Sequence, residues 1–308
     1  MAAGLISPSV VALGMFDGMH KGHVKLIGTA VRIARKHGLK AIVCTFANHP
    51  MEVFGSAPEL LMTARERYDA MRALGVDEVK MDAFDSDYAN VLPVDFVEGL
   101  VNRFNPSSIV AGFNYSFGKG GLGKAHCLPE MGRRFGFKVK LIHPVLYKGQ
   151  PVSSSRIRAC ITAGNVERAN YMLGKPYALS GEVEPNRRIG RRIGFPTANL
   201  AQWGGKATPG GGVYATYAVM NGKRMPAVTN IGFNPTVNGD KLSVETHILD
   251  LSLDLYGRNL CVEFIKKIRD DIRFPSIDAL KDQIAKDAAY ARKVLRNTIG
   301  EEWQMSIG

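Results

Sequence analysis

Ten residues, Gly14-Met-Phe-Asp-Gly-Met-His-Lys-Gly-His23, put two imidazoles, a carboxylate and three glycines directly after the apolar run Val10–Leu13. Glycine and aspartate are poor strand formers, so their place at the end of a strand-like run points to chemistry. A glycine-rich turn from a strand into a helix exposes backbone N–H groups that bind anions without side-chain help. His20 and His23 flank Gly22, whose missing side chain lets a backbone or a phosphate come close. Imidazoles placed there donate hydrogen bonds to phosphate oxygens as charge builds on them. A metal pair is a weaker reading, because no third ligand lies nearby. Alone, the two histidines would be ordinary surface or core residues; the whole string Gly-x-Phe-Asp-Gly-x-His-x-Gly-His is far more specific.

A second constellation lies at Gly190–Leu200, GRRIGFPTANL. Pro196 fixes the chain after Gly194-Phe195, and Thr197 and Asn199, two apart, face the same side of an extended segment. A hydroxyl and an amide oxygen on one face can help hold a hydrated Mg²⁺, which prefers few protein ligands plus phosphates. The plain alternative is a Pro-Thr-Asn turn without a ligand. In VETHILD, strand alternation puts Glu245, His247 and Leu249 on one side and Thr246 and Ile248 on the other. A carboxylate facing a pocket takes a proton from an attacking hydroxyl; a solvated strand glutamate is the alternative. Gly118–Gly123, GKGGLG, formally matches G-x-G-x-x-G. It follows no strand directly and has no acidic residue at the right distance beyond it, so it reads as a flexible glycine-rich loop.

The elements that must position these residues follow from periodicity. SVVALGMF and KAIVCTF read as buried strands. Between them Val24, Ile27, Val31 and Ala34 have helical spacing, closed by Gly38 as a C-cap. SSIVAG and FKVKLIHPV read as later strands, with helices around Arg65–Leu74 and Asp95–Arg103. This alternation predicts a parallel sheet covered by helices, which binds ligands at the carboxyl ends of its strands, where Gly14–His23 sit. After MLGKPYALSGEV the chain turns rich in glycine, proline and β-formers. Asn221-Gly222 between strand-like runs signals a hairpin. An antiparallel barrel or sandwich is expected, followed by a helix over Ser276–Asn297. The boundary falls near Ala178–Gly181, giving domains 1–178 and 179–308.

The 308 residues suffice for two cores, and 45% hydrophobic with 22% charged residues is a globular composition. No apolar stretch reaches the ~20 residues of a membrane span. The N-terminus lacks the basic start and cleavage pattern of a secretory signal, so a cytoplasmic protein is expected. Cys44, Cys127, Cys160 and Cys261 lack CxxC spacing and read as scattered reduced thiols. The net charge of +12 attracts polyanions, nucleotides and nucleic acid alike.

GMFDGMHKGH resembles the nucleotide-binding signature of the HxGH nucleotidyltransferases, and most of all the N-terminal module of bacterial bifunctional riboflavin kinase/FAD synthetases. TFANHP (Thr45–Pro50), AGFNYSFG (Ala111–Gly118) and SSSRIR (Ser153–Arg158) resemble three later segments of that family, in order. The last gives hydroxyls and guanidinium groups that can grip a departing pyrophosphate, or else a helix N-cap and a basic turn. GFPTANL resembles the riboflavin kinase signature. GGVYA, NIGFNPT (Asn230–Thr236), VETHILD and Ile268–Asp287 match further kinase segments. The resemblance implies a Rossmann-like nucleotidyltransferase domain (α/β) followed by an antiparallel β-barrel kinase domain (all-β) with a C-terminal helix. It implies His20, His23 and Glu245 as catalytic. ATP phosphates would meet Gly14, Phe16, Asp17, Gly18, Gly22, Ser155, Arg156 and Arg158, and FMN would meet Asn48, His49, Pro50 and Asn114. In the kinase, Gly194, Phe195, Pro196, Thr197 and Asn199 would hold ATP, Thr197 and Asn199 taking Mg²⁺. Asn230, Arg269 and Phe274 would hold the flavin, although Arg269 and Phe274 equally suit packing of the barrel. ATP, riboflavin, FMN and FAD are the implied substrates and products, with no nucleic-acid or membrane partner and no oligomeric state specified. Ser155 replaces the family's usual threonine, Asn114 stands where many members have aspartate, and EPNRRIGRR is more basic than usual. Two rival readings remain: another HxGH transferase, which leaves GFPTANL and VETHILD unexplained, and a basic nucleic-acid-binding protein, which predicts steeply salt-dependent binding.

Overall fold

The computed structural model describes residues 6–184, 194–201, 203–236, 239–251 and 255–298, with backbone alone for 233–236 and 239–241. Contacts divide the chain into two compact units after Ser154.

The first unit is built on five parallel strands, β1 (Ser9–Leu13), β2 (Lys40–Phe46), β3 (Glu78–Asp82), β4 (Pro106–Gly112) and β7 (Lys138–Ile142), in the order β3-β2-β1-β4-β7. Short ladders join β5 (Ser116–Phe117) to β6 (Gly123–Lys124) and β8 (Leu146–Tyr147) to β9 (Gln150–Pro151). Every residue of β1 is buried, as expected of a strand covered on both faces. Val10 and Ala12 pack with Leu26, Ile27, Ala30 and Ala34 of α1 (Lys21–Lys36) and with Met71 of α2 (Ala64–Ala73). Val11 and Leu13 pack on the opposite face with Phe96, Val97 and Leu100. These belong to α4 (Pro93–Phe104), which follows the single turn α3 (Ser86–Ala89); Leu128 of α5 (Leu128–Phe135) joins the same face. The expected C-cap of α1 is present: Gly38 has φ 64°, and Leu39 N–H donates to Ala34 O at 2.9 Å.

β1 lies between β2 and β4, so successive connections leave it in opposite directions. The crevice beyond its carboxyl end is therefore the sheet's switch point, and the residues after Leu13 enter it. The predicted strand ends at Leu13, and Gly14–Phe16 form the turn. β3 alternates polar and apolar residues, but with only Val79 and Met81 apolar and no fully buried residue its signal is too short to be read as a strand. The glycines of GKGGLG form a turn with a short 3-10 segment over Lys119–Gly121. Gly118 and Gly120 have φ 71° and 59°, and a side chain at Gly118 would lie 2.7 Å from Pro93 N.

The second unit holds α6 (Ser154–Thr162) from its second residue, α7 (Val166–Leu173) and a closed barrel. The barrel strands are β10 (Tyr177–Glu184), β11 (Ala198–Leu200), β12 (Gly212–Met220), β13 (Lys223–Thr236), β14 (Gly239–Ile248) and β15 (Asn259–Arg269), ordered β10-β11-β14-β13-β12-β15. Asn170 ties α7 to the barrel, accepting from Tyr177 N–H at 2.7 Å and donating to Phe264 O at 2.8 Å. The predicted hairpin is present: Met220 pairs with Lys223, and Asn221 and Gly222 take φ 50° and 75°. Buried Thr216, Thr229 and Thr246 link three strands through hydroxyl contacts of 2.8 and 3.0 Å. On the outer surface, α8 (Ile277–Thr298) lays Ala288, Ala291 and Leu295 on Val213, Ala215, Tyr217 and Val228. Tyr217 Oη donates to Leu295 O at 2.8 Å.

Candidate active sites

The turn after β1 is held in an unusual backbone. Phe16, Gly18 and Met19 have φ 55°, 80° and 43°. For the two non-glycine residues this costs on the order of 1–3 kcal/mol each, so the surroundings must hold them. Phe16 and Met19 are buried. The buried Asp17 carboxylate accepts from Leu61 N–H at 2.9 Å and Met62 N–H at 3.1 Å. Asp17 O accepts from Ser154 Oγ at 2.9 Å. Met15 O accepts from Thr45 Oγ1 and from Arg67 Nη1, each at 3.0 Å.

This turn delivers His20 to the N-cap of α1, where its Nδ1 accepts from His23 N–H at 3.3 Å. The imidazoles stack with centroids 3.6 Å apart at 18°, and Phe16 meets His23 edge-on at 5.3 Å. His23 Nδ1 is buried and has no hydrogen-bond partner among the described residues. Burial lowers the His20 pKa from 6.5 to about 4 against an opposing backbone hydrogen bond. Burial, and then the charge of His20, hold His23 well below its ordinary value. Both rings are thus neutral at pH 7 in the absence of a ligand. They become cationic donors only when an anion supplies compensating charge.

Beside the turn, at the carboxyl ends of β1 and β2, lies a cavity of about 200 Å³ lined by Gly14, Phe46, Tyr88, Phe96, Leu100 and Tyr115 among others. Its aromatic wall is continuous, with Tyr88 5.0 Å from Phe46 and 6.4 Å from Phe96. Burial pushes the Tyr88 hydroxyl and the Cys44 thiol each up to about 12. One edge is polar: Arg103 makes paired bonds of 2.7 and 3.0 Å to Asp82. A flat, largely apolar ring with a polar edge suits such a space.

In the barrel, the candidate row lies on the outside. Val244, Thr246 and Ile248 point inward and fill the interior, so Glu245 and His247 face outward, as strand alternation predicts. Glu245 is opposite Asn199 on β11 and opposite Asn230 on β13, which aligns an amide, a carboxylate and an amide across three strands. Asn230 Oδ1 is buried without a partner among the described residues. The Phe195–Asn199 segment is docked on this face: His247 Nδ1 hydrogen-bonds Pro196 O at 2.8 Å, and Phe195 meets the His247 ring edge-on at 5.5 Å. Among the described residues no cluster of three or more His, Cys, Asp or Glu could hold a metal. The oxygens of Thr197 and Asn199 are hard donors too few to enclose a cation. That fits Mg²⁺, which completes its shell with phosphates and water.

Comparison with known proteins follows this division. The family described as FAD synthetase matches residues 5–156, and the family described as riboflavin kinase matches residues 173–295. A bifunctional riboflavin kinase/FMN adenylyltransferase of Bacillus subtilis is 35% identical over 94% of this chain and 93% of its own length. That of Escherichia coli K12 is 36% identical over 92% of each chain. The chain belongs to the bifunctional riboflavin kinase/FMN adenylyltransferase family. A solved structure from Streptococcus pneumoniae, described as a macrolide-efflux protein, superposes with a TM-score of 0.87 at 33% identity, covering 94% of this chain and 95% of that one. Among the described residues no helix is long and apolar enough to cross a membrane.

Within this family frame, the residues singled out from sequence fall into two groups. His20, His23, Gly14, Phe16, Gly18 and Gly22 meet at one turn, and Asn199, Glu245 and Asn230 share one row. Several of the residues also make structural contacts. The Asp17 carboxylate faces backbone amides and anchors the turn to the segment before α2. Gly22 makes room for the His20 ring itself, since a Cβ there would lie 3.1 Å from His20 Cε1. Asn48 clips the chain at Phe84, accepting from its N–H at 2.8 Å and donating to its O at 2.9 Å. His49 caps the 3-10 turn that begins at Pro50, accepting from Met51 N–H at 3.1 Å. Asn114 is exposed. Gly194 precedes the docked segment with φ 91°. Arg269 is bound to the buried Asp287 carboxylate of α8 at 2.8 Å, with its guanidinium 5.6 Å from the Phe274 ring. Arg269 thus joins β15 to α8. Ser155, Arg156 and Arg158 lie at the start of α6. The basic residues 187–192 lie outside the described residues.

Sequence reasoning missed the aromatic cavity, Ser154 and Arg67. For Arg67 the signal was present: it lies four residues before buried Met71, an arginine where a helix stripe calls for an apolar residue.

Proposed function

We propose that the two modules carry out two consecutive ATP-dependent steps, with residues 1–178 acting as FMN adenylyltransferase and 179–308 as riboflavin kinase. In the kinase the ribityl 5′-hydroxyl of riboflavin attacks the γ-phosphate of ATP, giving FMN and ADP. Glu245 takes the hydroxyl proton, and Asn230 beside it orients the flavin. Thr197 and Asn199 would hold Mg²⁺, which neutralises phosphate charge when bound. Phosphoryl transfer needs mainly positioning and charge neutralisation, which suits so sparse a set of side chains.

In the adenylyltransferase the FMN phosphate attacks the α-phosphate of a second ATP, giving FAD and pyrophosphate without a covalent enzyme intermediate. The flavin ring occupies the aromatic cavity. His20 and His23 donate to the phosphate oxygens as negative charge gathers there. Ser155, Arg156 and Arg158 hold the pyrophosphate. The observation that carries this reading is the stacked imidazole pair at the sheet's switch point, with one ring nitrogen buried and unpartnered. Such a nitrogen costs on the order of 1–3 kcal/mol unless a ligand supplies its partner.

The test is incubation with riboflavin, ATP and Mg²⁺ followed by separation of the flavins. His23→Ala is expected to stop at FMN. Glu245→Ala is expected to leave riboflavin unchanged yet convert supplied FMN to FAD. Loss of both activities in either folded variant would refute the modular assignment.

A further inference from the structure

We propose that Arg67 is the positioning residue of the adenylyltransferase site: one buried guanidinium that holds the nucleotide turn and the flavin-lining loop in fixed relation. This rests on the reading of the first module as an FMN adenylyltransferase.

Arg67 has no exposed surface and is the largest fully buried side chain among the described residues. Its Nη1 donates to Met15 O at 3.0 Å and to Phe46 O at 2.9 Å, and its Nη2 donates to Ala47 O at 2.7 Å. Met15 lies between Gly14 and Phe16 in the turn that delivers the two histidines. Phe46 lines the cavity, and Ala47 leads into Asn48–Pro50. These carbonyls lie just where the β1–β2 ladder ends, beyond Leu13↔Cys44, so the neighbouring strand no longer satisfies them. A planar fork with donors in fixed directions reaches all three; a lysine ammonium is a single point.

The helix that carries Arg67 grips the same turn a second time. Asp17 is bound by Leu61 and Met62 N–H just before Thr63, the N-cap of α2, which is locked by a capping box with Glu66. The clamp is costly. Burial lowers the Arg67 pKa against the favourable charge of Asp17, and its Nε is buried without a partner among the described residues. An apolar side chain would avoid the cost of the buried charge but leave the Phe46 and Ala47 carbonyls without this donor. Joining two ligand-binding segments is what the arginine adds.

The full-length Arg67→Lys and Arg67→Met variants test this, with FMN adenylylation measured while FMN and ATP are varied, and riboflavin phosphorylation measured on the same preparations. In Arg67→Lys, one nitrogen faces three carbonyls. KM for FMN is expected to rise and kcat to fall, lowering kcat/KM on the order of 10²-fold, the scale of an ångström-sized misplacement. The kinase activity should stay within about twofold. Unchanged KM values with kcat reduced only in proportion to the folded fraction would overturn the proposal. So would loss of the folded first unit in both variants, which assigns Arg67 to the fold alone. A wild-type protein that converts no FMN to FAD would instead overturn the adenylyltransferase reading.

Discussion

The neutral histidine pair makes the first unit acid-sensitive in a calculable way. In the unfolded chain His20 binds a proton near pH 6.5, whereas in the folded unit burial delays this to about pH 4. Between those values the unfolded state holds more protons, so stability rises with pH and is lost as pH falls through the window. At about 1.4 kcal/mol per pH unit, the full loss is about 3 kcal/mol from His20 alone. That is a large fraction of the 5–15 kcal/mol typical of a domain. His23, shifted in the same direction, adds to it, although the second of two rings stacked at 3.6 Å takes its proton against the charge of the first. Hydrogen exchange of the β1 amides, which are fully buried, reports the opening free energy of this unit separately from the barrel. Corrected for intrinsic rates, the wild type should lose on the order of 1 kcal/mol or more between pH 6 and pH 5. His20→Gln, which cannot titrate, should lose distinctly less. Saturating ATP should reduce the wild-type loss, since phosphate charge favours the protonated rings. Equal losses in the wild type and His20→Gln would refute the account of the buried neutral pair.

Gly22→Ala places a Cβ 3.1 Å from His20 Cε1 and 3.2 Å from Nδ1, so the ring must give by tenths of an ångström. FAD formation should slow on the order of tenfold while FMN formation is unchanged, measured in one flavin-separation assay. Cys44, whose thiol burial pushes up to about 12, should resist iodoacetamide at pH 8 in the folded protein and react readily in urea, as read by peptide mass spectrometry. Rapid labelling of native Cys44 would contradict the raised thiol pKa that its surroundings impose.

The parallel sheet, the barrel and the trailing helix were legible because each depends on a pattern a single sequence carries: apolar runs bounded by turns, Asn221-Gly222, and a helical stripe ended by Gly38. β3 was not, because five residues with only two apolar side chains, Val79 and Met81, give too short a signal. The two histidines and the Glu245 face were legible because spacing and strand parity place them directly. The aromatic cavity was not, because Phe46, Tyr88, Phe96 and Tyr115 come from four separate segments that only the tertiary fold assembles. The structural contacts of Asp17 and Gly22 were not legible for a related reason. A turn with left-handed Phe16 and Met19 must be held by something, and residue types alone do not show whether a carboxylate holds the turn or meets the ligand.

The barrel shows how a packed interior can aim a carboxylate that lies outside it, here the proposed base Glu245. Side chains alternate along β14, so a slip of one residue would exchange Glu245 with Thr246, sending the carboxylate inward and a hydroxyl outward. What forbids the slip is the interior itself. Thr216, Thr229 and Thr246 are fully buried and satisfy one another across β12, β13 and β14. Removing one from the chain leaves a buried hydroxyl that costs on the order of 1–3 kcal/mol. On the outer side, Phe195 and the Pro196 carbonyl find their partner only when His247 faces them. Register is therefore fixed from both faces of β14, and Glu245 stands between Asn199 and Asn230 because the threonines beneath it admit no other pairing.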